Sequence, residues 1–246
     1  MRIVSCGVIA LSVIAVGSIF SPSAHAQDQH ARLRAYMDAP DRPEADQQRD
    51  RIRKPIEVME LLDVQDGMTA LDVIAAGGWY TGILSVAVGP TGHVHSQNPT
   101  FIVEREGFVQ AETERHTQLG NVEPLHGDVA GVDGQIDIAI SNQNMHDIFG
   151  ASEDSALALV TSIYNALKPG GVFGLMDHRG IAGQPNIELH RMEVESARAL
   201  LVEAGFDIEE QSDLLAYTAD DHTKGSADES LNGISDRFLL KARKPR

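Results

Sequence analysis

Three histidines carry the first chemical signal of this chain: His146, His178 and His190. An imidazole titrates near neutrality, so each can take a proton from a nucleophile. Two of them have an aspartate beside them in sequence, as His146-Asp147 and Asp177-His178. A carboxylate next to an imidazole fixes its tautomer and steadies its charged form. Adjacent residues on a strand point to opposite faces, so Asp177 orients His178 only if the strand has ended there. Imidazole and carboxylate also suit zinc or iron, so a metal held by His146, Asp177, His178 and His190 is a rival reading. No pair has the helical H-E-x-x-H spacing, and no metal is expected. The plainer readings are a helix N-cap at His146-Asp147 and a solvated loop or helix start at His190-Arg191.

A second signal lies in Thr69-Ala-Leu-Asp-Val-Ile-Ala-Ala-Gly-Gly-Trp-Tyr-Thr81. It reads as a buried strand from Ala70 to Ile74, a turn of small residues, and then a helix. Gly77 and Gly78 carry no Cβ, so a ligand can approach the backbone closely. The helix that follows aims unpaired N–H groups and the positive end of its dipole at that ligand. Trp79 or Tyr80 could stack on the ligand or gate it; as plain core they read equally well.

These residues must be held by the elements around them. After the first strand, strands and helices alternate: helix Trp79–Val88, strand Gly92–Ser96, helix Phe101–Leu119, strand Val122–His126, strand Ile136–Ser141, helix Ser152–Leu167, strand Val172–Asp177 and helix Glu193–Ala204. Strands Phe206–Gln211 and Arg237–Ala242 close the series. Alternation of this kind means a parallel sheet covered by helices on both faces. In such sheets ligands bind beyond the carboxyl ends of the strands. That rule selects Ala75–Tyr80, Gln97-Asn98, Gly127-Asp128, Asn142–Asp147 and Asp177–Arg179. Ahead of the first strand, Ala45–Leu62 has helical spacing broken at Pro55, which fits two short helices with proline in the first turn of the second. Ala219–Gly233, polar and glycine-containing, reads as a mobile loop.

The bulk properties bound the function. The 246 residues suffice for one domain with a sizeable core. Met1-Arg2, an apolar run from Ile3 to Phe20 and the Ala-x-Ala site ending at Ala26 read as a signal peptide, residues 1–26. An uncleaved anchor is the rival reading. Export to the periplasm is therefore expected, with no membrane contact once the leader is cut. Residues 27–44 read as a flexible lead-in and 45–246 as a single domain. Cys6, the only cysteine, falls in the leader, so the mature chain has no disulfide and no thiol chemistry. A formal charge of −16 repels phosphate backbones, which excludes nucleic acid as the expected partner.

Together the pieces resemble the class I S-adenosylmethionine-dependent methyltransferases. Asp72 with its glycine-rich turn, Gly127-Asp128, the strand from Asp137 and Ala166-Leu-Lys-Pro-Gly-Gly171 stand in the order of that family. A subfamily of exported bacterial methyltransferases is similar over roughly Asp41 to Pro245. It shares Arg53-Lys-Pro55, Asn142-Gln-Asn-Met-His-Asp147, Asp177-His178, His190-Arg191 and Asp220-Asp-His-Thr-Lys224. The resemblance implies a Rossmann-like α/β fold with a seven-stranded, mostly parallel sheet whose last strand is antiparallel. It implies S-adenosyl-L-methionine as cofactor and a small-molecule methyl acceptor as partner. It places Gly77 and Gly78 against the methionine part of the cofactor, Asn98 or Gln97 on the ribose, and Asp128 on the adenine amino group. Asp72, Tyr80 and Asn142 complete the expected cofactor set; His146, His178, His190 and Asp177 are the expected catalytic set. The Arg53–Pro55 and Asp220–Lys224 segments are expected to act as lids. The pattern departs at Ile74 and Ala76, where the family has glycine, so the turn is expected to open differently or the cofactor to sit further out.

Overall fold

In a computed structural model the described residues are 24–246. The expected leader lies outside them, apart from the backbone of residues 24–26. Helices α1 (Ala24–Met37), α2 (Glu44–Arg53) and α3 (Pro55–Leu61) precede the first strand, with Pro55 at the first position of α3, where its missing N–H costs nothing. Then follow β1 (Thr69–Val73), α4 (Trp79–Val88), β2 (His93–Asn98), α5 (Thr100–Val103), α6 (Phe108–Thr117), β3 (Val122–His126) and β4 (Ile136–Asn142). The second half holds α7 (Met145–Ala151), α8 (Glu153–Ala166), β5 (Leu167–Gly180), β6 (Met192–Glu193), α9 (Val194–Glu203), β7 (Asp207–Ser212) and β8 (Arg237–Arg243).

The strands form one sheet in the order β3-β2-β1-β4-β5-β8-β7, with the two-residue β6 paired to β5. β1 to β5 run parallel, and β8 is antiparallel to both β5 and β7. The chain leaves β1 in opposite directions across the sheet, so the crevice of an open parallel sheet falls at the carboxyl ends of β1 and β4. Alternation along the strands feeds two cores. Leu71, Val73, Phe173 and Leu175 pack on the face covered by α8 and α9. Ala70, Ile140, Met176 and Leu239 pack with α1, α3 and α4 on the other.

Three expectations are corrected. Residues 27–44 are not a flexible lead-in: α1 covers most of them and packs on α4. Leu33 is fully buried, and Gln29 Nε2 donates to the carbonyls of Val64 and Ala87 at 2.9 Å each. A polar helix anchored by so few buried side chains leaves little periodic signal in the sequence. The helix expected over Phe101–Leu119 is two helices, divided before Gly107, whose φ of +75° starts α6. The sheet has eight strands instead of seven, because β6 adds a short parallel pairing.

Candidate active site

The turn after β1 keeps a glycine-type backbone without the glycines. Ile74 and Ala76 adopt φ of +55° and +47°, and Gly78 adopts +71°. The left-handed region costs a residue with a Cβ about 1–2 kcal/mol, and a β-branched residue there is an outlier. Neighbouring groups hold it in place. Ile74 N donates to Gln97 Oε1 (3.0 Å), Ala75 N to the Gln97 carbonyl (2.9 Å) and Ala76 N to Asn98 Oδ1 (2.8 Å). Asn144 Nδ2 donates to the Ile74 carbonyl at 3.2 Å. The Ile74 side chain is buried in the core that includes Ile102 and Met145. Positions 74 and 76 thus hold left-handed backbone although neither is glycine. At Gly77 an added Cβ would meet nothing within 4 Å, so that side of the turn is open. Ala76→Gly is expected to raise stability by up to about 1 kcal/mol, because relief of strain slightly outweighs the freer unfolded chain. Urea unfolding checks this, and a loss would show that the methyl group is needed for packing.

Beside the turn, Asp72 accepts a hydrogen bond from Thr81 Oγ1 at 2.7 Å and is almost wholly buried. Burial pushes its pKa up to about 7, against the opposing pull of the Thr81 hydrogen bonds. Tyr80 is also buried; its hydroxyl donates to Met176 Sδ at 3.2 Å, and its ring meets Trp79 edge-on with centroids 4.5 Å apart. Tyr80 is thus part of the cleft's core wall and is not a free stacking platform. The Arg53 guanidinium lies 5.0 Å over the Trp79 ring and donates to Gln143 Oε1 at 2.6 Å. Together with Arg49, Ile74, Gly77, Asn142 and Asn144, Arg53 encloses a cleft of about 210 Å³. Small-molecule sites run from about 300 Å³ upward, so this cleft is small, and the Arg53–Gln143 pair stands in its wall. A larger groove of about 1010 Å³ lies between α1, α4 and α6, and none of the expected site residues line it.

The end of β2 does not present a ribose partner. Asn98 is fully buried, with Oδ1 taken by Ala76 N and Nδ2 donating to Glu112 Oε1 at 3.0 Å. Gln97 Nε2 donates to the Gly127 carbonyl at 2.6 Å, and its Oε1 is taken by Ile74 N. Both carboxamides satisfy buried backbone groups and hold the turn from behind. Asp128 is exposed and accepts from Ala130 N at 3.0 Å, an Asx turn just before the short 3-10 helix Ala130–Val132. It does not line the cleft. Of the expected cofactor set, the structure gathers Asp72, Gly77, Tyr80 and Asn142 around the cleft, with Gly78 starting α4.

The histidines do come together, in a different pairing. Asp177 is fully buried near the end of β5 and accepts from His146 N (2.9 Å), from His178 N (2.7 Å) and lies 2.6 Å from His146 Nδ1. Its carboxylate thus satisfies an N–H at the start of α7 and fixes the His146 ring. β5 continues to Gly180, so the side chains of Asp177 and His178 diverge, and His178 Nδ1 lies 2.6 Å from Ser235 Oγ instead. Burial, aided by the charges of Arg237 and His146, pushes the His178 pKa down to about 2, so this ring is neutral. For His146 burial works against the charged form, but the hydrogen bond and charge of Asp177 outweigh it and raise its pKa. The His146 ring centroid is 5.5 Å from that of His178 and 5.7 Å from that of His190. His190 is exposed, with Nδ1 2.7 Å from Asp147 Oδ1 and a left-handed backbone. Ser235 and Arg237 escape the sequence reading: Arg237 pairs with His178 across β5 and β8, a register visible only in the folded sheet. Among the described residues, two groups converge as metal ligands could: His146-Asp147-His190 here, and His93-His95-Glu123 on β2 and β3.

Comparison with solved structures decides the fold. An S-adenosylmethionine-dependent methyltransferase from Aquifex aeolicus superposes with a TM-score of 0.59 at 20% identity, over 87% of this chain and 97% of that one. The chain has the Rossmann-like methyltransferase fold. A possible exported protein from Bordetella parapertussis is similar in shape as well, with a TM-score of 0.54 at 17% identity over 90% of this chain and 80% of that one. No family profile matches the sequence. Among curated proteins, the demethylmenaquinone methyltransferase of Listeria monocytogenes is 27% identical over 136 residues, 53% of this chain and 52% of that protein. The chain thus spans about half the length of the curated relatives it matches. In this methyltransferase fold the cleft beside Gly77 and the Asp177-centred histidines occupy the carboxyl ends of β1, β4 and β5.

Proposed function

We propose that this protein transfers a methyl group from S-adenosyl-L-methionine to a small molecule. The carrying observation is the turn at residues 74–78, which holds the left-handed backbone of a glycine-rich loop at Ile74 and Ala76 and stays open at Gly77. The named activities of the similar methyltransferases support the same reading. When bound, the cofactor supplies a methyl group on a positively charged sulfur. The chain's own part is to bind, orient and accept a proton. Gly77, Gly78 and Asn142 would flank the methionine half. Arg53 must leave Gln143 for a ligand to enter, which makes the end of α2 the closing element. We assign the acceptor's proton to His146, whose ring Asp177 holds through Nδ1, because His178 is turned to Ser235 and His190 is exposed; its Nε2 lies 3.3 Å from Asp147 Oδ1, and the ring stands outside the lining of the cleft beside Gly77. Residues 1–26, on our reading a signal peptide, support a periplasmic location.

Calorimetry with S-adenosylhomocysteine tests the reading. Saturable binding with a matching rise in Tm is expected, and no heat at millimolar ligand would overturn it. A second reading is a binding protein of the cell envelope that has the methyltransferase fold without catalysis. The commitment of Gln97 and Asn98 to the turn favours it, because no group at the end of β2 is left for a ribose. Binding of the cofactor with no transfer to a broad panel of acceptors would select it.

A further inference from the structure

We propose a second ligand site, for a divalent transition-metal ion such as zinc, formed by His93, His95 and Glu123 on β2 and β3. His93 and His95 are two apart on one strand, so both imidazoles stand on the same face of the sheet. Glu123 is the in-register partner of His95 on the parallel neighbour β3. The sequence reading sought ligands at helical spacing; His-x-His with a third ligand one strand over is the arrangement a sheet provides. The ligand atoms of all three residues lie within 4.8 Å of one another. His93 Nε2 and Glu123 Oε2 are 3.4 Å apart. Two ligands on one tetrahedral zinc, at 2.0–2.1 Å each, sit about 3.3 Å apart, so this pair already has the required separation. The two imidazoles meet edge-on with centroids 4.7 Å apart, and Glu123 lies against the His93 ring. His93 and Glu123 are substantially exposed, so side-chain rotation can bring the third ligand in without moving backbone.

Two imidazoles and one carboxylate are a zinc-type donor set, and the outward face leaves a fourth position for water. The site is separate from the candidate active site: His95 lies three residues before the end of β2, about 10 Å along the strand from its carboxyl end. Its consequence is mechanical. β3 is the edge of the sheet, only five residues long, and contains Pro124, which has no N–H to give. An ion shared between β2 and β3 ties that edge down and stabilises the folded state by mass action.

The test is titration of the untagged full chain with zinc by calorimetry, with cobalt absorption as a second readout of coordination. One equivalent with low-micromolar affinity, a tetrahedral cobalt spectrum and a metal-dependent rise in Tm are expected. His95→Ala should weaken binding at least tenfold without changing the metal-free Tm, and His190→Ala should leave it unchanged. Binding that survives His95→Ala, binding lost only in His190→Ala, or no binding at millimolar zinc would each overturn the proposal. The outcome does not depend on S-adenosylhomocysteine binding, so this site and the methyltransferase reading stand or fall separately.

Discussion

Asp177→Asn is expected to lower methyl-transfer turnover by a factor on the order of 10² to 10⁴, the range for losing an oriented general base. Affinity for S-adenosylhomocysteine should stay within a few-fold, because Asp177 does not line the cleft. Asp177 meets three N–H groups, two of them on His146. An asparagine in its place turns an NH₂ toward one of those donors. The His146 ring then loses its fixed tautomer, and a buried donor goes unpaired at a cost of about 1–3 kcal/mol. The pH dependence separates orientation from simple damage. His146 must be neutral to accept a proton, and Asp177 holds its pKa above the ordinary 6.5. Turnover in the parent should therefore rise with pH through a value above 6.5. In Asp177→Asn the residual activity should rise at a lower pH. His146→Ala should cost about as much as Asp177→Asn, and the double variant little more, since the pair acts as one unit. Equal loss of turnover and ligand affinity would assign both residues a structural role.

The second large effect concerns stability. Asp72 has a pKa near 7 in the folded protein against an ordinary 3.8, chiefly because burial penalises its charge. Below the lower value both folded and unfolded chains hold the proton, and the group is neutral to stability. Between the two values the unfolded chain has released its proton while the folded one keeps it, so stability falls as pH rises. Above the folded value the loss is complete, on the order of 4 kcal/mol. Asp72→Asn can still accept the Thr81 hydroxyl and carries no charge. The variant should match the parent near pH 4 and exceed it by several kcal/mol above pH 8. Urea midpoints measured on both chains across that span decide it. A variant less stable than the parent at high pH would show that the ionised carboxylate is held by the fold.

Much of the architecture was legible because it rests on local signals. β4 reads as a mostly apolar run, and all of it but Asp137 and Asn142 is buried. Pro55 and the Lys168-Pro-Gly-Gly171 turn mark boundaries by backbone chemistry alone. The strand-end rule then placed Gly77, Asn142, His146 and Asp177 at one end of the sheet. Pairings across the sheet were not legible. Asp177 and His146 are 31 residues apart, and the sequence offered Asp177 a partner in His178 only on the condition that the strand had ended, which β5 does not meet. Gln97 and Asn98 looked free to hold a ribose because nothing in β2 shows that the turn after β1 has N–H groups to satisfy. Ile74 was judged by its bulk, yet its backbone is set by those same carboxamides and its side chain turns into the core. Asp128 makes an ordinary local turn contact that its position after β3 could not distinguish from a ligand contact.

On our proposal the left-handed turn at 74–78 is a nucleoside-cofactor cradle closed by Arg53. A crystal structure of the chain grown with S-adenosylhomocysteine tests it most directly. Ligand density over Gly77 and Gly78 is expected, with Arg53 released from Gln143 and the Gln97 and Asn98 contacts to the turn intact. An unchanged Arg53–Gln143 contact with the ligand elsewhere or unbound would contradict it.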